Sequence, residues 1–329
     1  LKNAARMGEA PDMMLIPNEW VREFAALGFL QPLDEYLIQE DDQARIEVLM
    51  NQVKWNGYQW GIPKDADPYI LAWNRDTAAR FGFDAAPQSA SELVLWNETM
   101  SNPGEGQYGI WLDTTDPLSF IALTSSLIQA WSPADRVWND AEADRKELAA
   151  FLTPHAGEWN HNQFASHFPV PSDQFAPWDL LEAGQIGAMV TTVSQFKSHP
   201  SDKIAIAAIP TADTVWLKGR SYTLSSRTNH AELVMEWIRE MTAPEAEIKL
   251  WEAASMLPAQ IQSFKLEPLH SDSYIRSYDW LLSVGKTLPS AVEMPERLLA
   301  LKSELNRLLS GEIDLAEFMQ RVEAAWTSE

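Results

Sequence analysis

The chain of 329 residues predicts an α/β fold built as two lobes, on three observations. Short apolar runs and amphipathic helical stretches alternate along the chain, the order that gives layered α/β architecture. The length exceeds what one ordinary domain needs. No clear linker divides the sequence, so the lobes would be joined by several strand crossings.

The elements follow in order. Leu1 to Glu9 reads as the tail of a helix ending near Gly8. Met13 to Ile16 is a short apolar run, the pattern of a buried strand. The next helix carries Trp20, Val21, Phe24 and Leu27 on one face and is closed by Gly28. In Trp55 to Pro63, Asn56-Gly57 separates two aromatic-rich arms and predicts a hairpin. Tyr69 to Trp73 reads as a strand, and Ser89 with Glu92 as a capping box opening a helix. From Trp131 to Pro177 the pattern is irregular, with helix pieces such as Asp144 to Leu152. Ile186 to Val193 and Lys203 to Ile209 are predicted strands. Pro244 starts a helix in the first turn, where a missing amide costs nothing. Asp314 caps a last helix with Leu315, Phe318, Met319, Val322 and Trp326 on one face.

Composition narrows the function. A net charge of −22 opposes nucleic acid and anionic membranes, whose phosphates need clustered Lys and Arg. The absence of Cys excludes disulfides, thiolate metal sites and thiol catalysis. No run of roughly 18 apolar residues is present to cross a membrane. Leu1 opens a polar, helix-like stretch and not a charged start followed by an apolar run. The 15 Trp residues suit cores and also stacking on sugar rings. His155, His161 and His167 are spaced six apart, a poor metal pattern beside the three or four of helical pairs. Asn97-Glu98-Thr99 matches a glycosylation sequon at chance level. No nucleophile elbow, phosphate loop or metal motif appears, and no cofactor is predicted.

An ordered set of segments resembles the extracellular solute-binding protein family that includes the maltose-binding protein. It comprises Ala10 to Met14, Gly28 to Leu33, Tyr58 to Pro63 followed by Trp73 to Asp76, and Gly184 to Met189. Ile206 to Pro210, Tyr222 to Arg227, Ala231 to Glu247 and Leu257 to Ala259 complete it. The resemblance implies a type II, Venus-flytrap fold of the periplasmic-binding-protein kind, with a ligand cleft between lobes. It implies an N-terminal lobe of residues 1–71 and 221–257 and a C-terminal lobe of residues 72–220 and 258–329. The family's first β-α-β unit would precede Leu1 and is absent from this sequence.

The resemblance further implies a monomeric extracytoplasmic receptor, periplasmic or held at the cell surface as a lipoprotein. Its ligand would be a small molecule, a mono- or oligosaccharide, and its partner the permease of an ABC importer. Sugar binding takes carboxylates and amides for hydroxyls and aromatic rings for CH faces, near strand ends. Asp65 and Asp67 precede the first crossing strand, or form a solvated turn. Asn18, Glu19 and Trp20 follow a strand, with helix capping and core as the alternative. Trp111 and Asp113 follow Tyr108-Gly109-Ile110, and Trp111 serves equally as core; Asp116 before Pro117 reads as a helix start. Phe196 is the nearest fit to a sugar-stacking aromatic after Ile186 to Val193. Arg220 and Tyr222 lie at the second crossing, where Arg220 either meets an anionic ligand or pairs across the lobes. Trp237, Trp251, Trp280 and Trp326 read as core. The rival classes are a glycoside-acting enzyme using paired carboxylates and a sensory binding lipoprotein without an importer.

Overall fold

A computed structural model describes residues 1–37, 45–102, 105–111, 113, 115–127, 146, 148, 151, 177–210, 214–272 and 285–327. The elements run α1 (Lys2–Met7), β1 (Met13–Pro17), α2 (Asn18–Ala26), α3 (Glu47–Gln52), β2 (Lys54–Trp55), β3 (Tyr58–Gln59), β4 (Ile62–Pro63), β5 (Asp67–Asn74), α4 (Arg75–Arg80), α5 (Ala90–Met100), β6 (Tyr108–Trp111) and α6 (Pro117–Leu127). They continue with α7 (Pro177–Glu182), β7 (Ile186–Thr192), α8 (Val193–Lys197), β8 (Ile204–Ala207), β9 (Val215–Lys218), β10 (Arg220–Leu224), α9 (Ala231–Met241) and α10 (Pro244–Ala254). Two 3-10 turns (Ile261–Lys265 and Leu269–Ser271), β11 (Gly285–Lys286), α11 (Met294–Leu309) and α12 (Leu315–Thr327) complete the order. His155, His161 and His167 lie outside the described residues, as does Trp280.

The chain divides into two compact units, Leu1–Pro68 with Thr214–Pro295, and Tyr69–Asp213 with Glu296–Glu329. The boundaries expected at 220/221 and 257/258 differ from these, for a physical reason. The described residues of 214–272 and 285–295 are stitched to the first unit: β11 pairs with β9, β9 pairs with the start of β5 at Asp67↔Lys218, and Pro258 and Gln260 bridge to Asp65 and Arg45.

In the first unit β1 lies antiparallel to β10, and β10 to β4. Helices cover both faces of β1, so it reads as a continuous apolar run. Met14 and Ile16 pack with Val21 and Phe24 of α2, while Met13 and Leu15 lie against the cluster of Tyr222, Met235 and Ile238. Gly28 takes φ 72 where α2 turns out, a left-handed conformation favouring glycine. At the β2–β3 turn Asn56 and Gly57 both have positive φ, 52 and 81, as a type I′ hairpin requires.

In the second unit β7 is buried along its whole length, parallel to β6 and antiparallel to β5. β8 pairs with the other edge of β5. Asn74 caps α4 by accepting the Thr77 amide at 2.9 Å, and its own amide donates to the Leu181 carbonyl at 2.7 Å. The Ser89 cap accepts the Glu92 amide at 3.2 Å, but the Glu92 carboxylate turns to the amide of Gln88, one residue earlier than a capping box needs. The Asp314 cap accepts the Glu317 amide at 2.8 Å, and Phe318, Met319 and Val322 are buried beneath α12. Trp251 is buried as expected of core and Trp326 half-buried; Trp237 is 42% exposed, packing one edge on Tyr222.

Asn97 is a buried tether and not a glycosylation acceptor. Its Nδ2 donates to the Phe151 carbonyl at 2.9 Å, and its Oδ1 accepts the Ile110 amide at 3.1 Å. Gly109 must be glycine beside it, since a Cβ there would stand 2.6 Å from the Asn97 backbone. Asn97→Ala is expected to cost about 2 kcal/mol by stranding these buried partners. Denaturant unfolding checks this, and a loss below about 0.5 kcal/mol would contradict it.

Candidate functional site

Each unit gathers polar side chains at one end of its sheet. In the first unit the pairings Pro17↔Arg220 and Ser221↔Pro63 bring Asn18, Lys64, Asp65 and Arg220 to the carboxyl end of β1. Such strand ends are where open α/β sheets place ligands.

Asp65 is the hub there, 5% exposed. Its Oδ2 accepts from Arg220 Nη2 at 2.6 Å, Arg220 Nε at 3.0 Å and Lys64 Nζ at 3.1 Å, and its Oδ1 accepts the Arg220 amide at 2.9 Å. These charge-assisted bonds fill the carboxylate's acceptor capacity. The Arg220 side chain remains 40% exposed, so a planar, fixed cation is presented at this edge. Asn18 is 1% exposed and committed inward: its Oδ1 accepts from Ser221 Oγ at 2.6 Å and its Nδ2 donates to Gln52 Oε1 at 3.3 Å. Glu19 is buried in the first turn of α2. Trp20 is half-buried and packs against Phe24. Asp67 is partly exposed opposite Lys218. Tyr222 is 4% exposed inside the apolar cluster; burial raises its phenol above the ordinary range, with the Asp65 carboxylate adding to the shift.

In the second unit the registers Tyr69↔Thr192 and Trp111↔Met189 align the start of β5 with the carboxyl ends of β6 and β7. Tyr69 donates its hydroxyl to Asp116 Oδ2 at 2.7 Å, while Asp116 Oδ1 accepts the Leu118 amide at 3.1 Å and caps α6. Thr191 Oγ1 donates to Gln195 Oε1 at 2.8 Å. Asp113 accepts from Thr115 N and Oγ1 at 2.7 and 2.6 Å, a local turn. Trp111 is 5% exposed and Phe196 7% exposed, both part of the interior. The exposed side chain on this turn of α8 is Gln195.

The candidates therefore fall into two groups, one in each unit: Asn18, Glu19, Asp65, Asp67 and Arg220 in the first, Trp111, Asp113 and Phe196 in the second. Trp20 and Tyr222 belong to the core of the first unit. Sequence reasoning read Tyr69 only as part of a strand, chose Phe196 over its neighbour Gln195 and took Asp116 as a helix start alone. A carboxylate that both follows a strand and precedes a proline was the available signal. Among the described residues no group of three or more His, Cys, Asp or Glu could hold a metal ion, and no helix is long and apolar enough to cross a membrane.

Sugar-binding proteins recur among the relatives. A maltotriose-binding protein of Pyrococcus abyssi is 26% identical over 33% of this chain and 23% of its own length. A putative binding protein of Brucella abortus is 24% identical over 63% of this chain and 51% of its own. The chain thus spans from about a quarter to about half the length of these relatives. An ABC transporter solute-binding protein from Thermotoga lettingae, bound with α-D-tagatose, superposes with a TM-score of 0.81 at 16% identity, over 99% of this chain and 87% of that one. A Listeria monocytogenes ABC substrate-binding protein in complex with cycloalternan gives 0.79 at 16% identity, over 98% and 86%. At such identity these structures show the fold. The family description "Bacterial extracellular solute-binding protein" matches residues 1–273, most of the chain, and the chain belongs to that family.

Proposed function

We propose that this protein binds a carbohydrate outside the cytoplasm and delivers it, chemically unchanged, to the permease of an ABC importer. The observation that carries the reading is the pair of strand-end clusters, one per unit, each offering acceptors and donors suited to sugar hydroxyls. Arg220 and Asp67 in the first unit, and Asp116, Asp113 and Gln195 in the second, are the proposed ligand-facing groups, with the buried Glu19 and Tyr69 directly behind them. Asn18 and Asp65 hold the first cluster in place; Trp20, Tyr222, Trp111 and Phe196 pack behind the two.

The proposed mechanism is hinge closure of the kind known for periplasmic binding proteins. The chain passes between the units after Pro68, after Asp213 and after Pro295, which supplies three hinge segments. A ligand that touches both units only when closed shifts the population by its differential affinity. A swing from mostly open to mostly closed takes about 5 kcal/mol, within reach of several charge-assisted hydrogen bonds. The relatives' carbohydrate ligands, maltotriose and tagatose among them, support the substrate class. Free periplasmic and lipid-anchored forms both satisfy this role.

A thermal-shift screen over monosaccharides, oligosaccharides and uronates tests the reading. At least one sugar is expected to raise the melting temperature and to be recovered intact. Release of a cleaved product would overturn the receptor role, and no shift with any sugar would overturn the carbohydrate class. Gln195→Ala is expected to lower the unliganded melting temperature modestly, because it strands the buried Thr191 hydroxyl, and to weaken sugar affinity by about tenfold beyond that effect, the loss of one hydrogen bond.

A further inference from the structure

Glu247 on α10 is sealed inside the first unit, 1% exposed. Its Oε2 accepts from Ser263 Oγ at 2.7 Å and from the Gln260 amide at 3.3 Å. Its Oε1 has no hydrogen-bond partner among the described residues. The facing cation, Arg45, stands 3.7 Å away with its Nη1 donating to the Pro63 carbonyl at 3.1 Å. An ionised carboxylate so placed has lost water without gaining a full set of donors, and a proton on Oε1 removes the charge that burial penalises.

Burial is the largest influence and lifts the acid to about 7, against the Ser263 hydrogen bond, the Arg45 charge and the Gln260 and Ala259 amides, which pull it down. The ionisable groups facing it are Arg45 and, from β10, Tyr222. The other charged residues of the elements around it are exposed: Glu47 on α3, Glu232, Glu236, Arg239 and Glu240 on α9, Glu245, Lys249 and Glu252 on α10, and Lys265 on the 3-10 turn.

We propose that Glu247 is a proton-binding latch: neutral, it holds residues 256–263 in place, and its ionisation loosens that segment and the Lys64–Asp65–Arg220 cluster in front of it. The connection is physical. Pro258 bridges to Asp65 and Gln260 to Arg45. The Ala66 amide donates to Leu257 at 3.0 Å, and the Ile46 amide to Ala259 at 2.9 Å. Met256 Sδ lies 3.2 Å from Lys64 Nζ and 3.3 Å from Arg220 Nη2. The inference concerns the first unit alone and stands whether or not the ligand is a sugar.

The sign follows from linkage. The folded acid holds its proton more tightly than the unfolded one, whose ordinary value is 4.5. The contribution to stability is therefore full below that value, declines as pH rises to about 7, and is flat above.

Thermal unfolding of the full chain between about pH 5 and pH 8 tests the latch. The native chain should lose melting temperature across this interval. Glu247→Gln, which keeps the volume without the charge, should lose less and melt above the native chain at the alkaline end. Parallel profiles would overturn the proposal. Ser263→Ala removes a hydrogen bond that favours the ionised form and should move the midpoint of the profile to higher pH. An unmoved or lowered midpoint would also overturn it, and this arm decides the matter should the glutamine variant not fold. Amide exchange in residues 256–263, corrected for its intrinsic pH dependence, should quicken over the same interval in the native chain and not in Glu247→Gln; equal protection in both would count against the latch.

Discussion

Asp65→Ala is expected to destabilise the first unit by about 3 kcal/mol, since it strips two cations of their shared anion. Lys64 is the costly one: its side chain is 7% exposed, with Asp65 Oδ2 at 3.1 Å and Met256 Sδ at 3.2 Å. Left unpaired, a buried ammonium pays its desolvation without compensation. Arg220 pays less when Asp65 is removed because 40% of its side chain meets solvent; Arg220→Ala takes two donors from the buried Asp65 but leaves it Lys64 Nζ and the residue-220 amide, so it should cost less than Asp65→Ala, about 1–2 kcal/mol. Urea unfolding of the two variants separates these values. Equal and small losses would mean that the cluster behaves as an ordinary surface pair. The same cluster fixes Arg220 for its proposed contact with ligand, so the substitution should weaken sugar binding beyond its effect on folding.

Trp96→Ala should have a comparable effect in the second unit, about 3–5 kcal/mol. The indole of Trp96 is fully buried, 4.8 Å from the Phe83 ring and 5.9 Å from that of Trp73 in an edge-on arrangement. Truncation removes both ring contacts and leaves a cavity next to Gly187, whose position already lies close to the Met100 sulfur and the Trp96 ring nitrogen. Trp96→Phe should recover much of the loss by refilling part of that space. A destabilisation below about 1 kcal/mol for the alanine variant would show that the core relaxes around the gap.

Local structure was legible where backbone chemistry is local. Asn56-Gly57 turns the hairpin because both residues take positive φ, Pro244 marks a helix start because a first-turn residue needs no amide, and Asp314 marks one because its carboxylate satisfies an orphan amide. The strand ends that carry the candidate residues were legible for the same reason. Which side chain at a strand end faces outward was not. Phe196 and Gln195 differ by one helical position, a rotation of about 100°, and packing, not sequence, buries the ring and exposes the amide. Asp65 and Asn18 read as ligand contacts because they are polar and flank strands, Asp65 ahead of one and Asn18 after one. Their partners Arg220, Ser221 and Gln52 lie far away in sequence, and nothing local announces them.

Small-angle scattering of the full chain, with and without the sugar that gives the largest melting shift, puts the receptor mechanism to the test. Capture by closure predicts that the radius of gyration contracts on saturation and that the sugar is recovered chemically intact. Saturable binding with an unchanged radius, or a sugar altered by the protein, would contradict it.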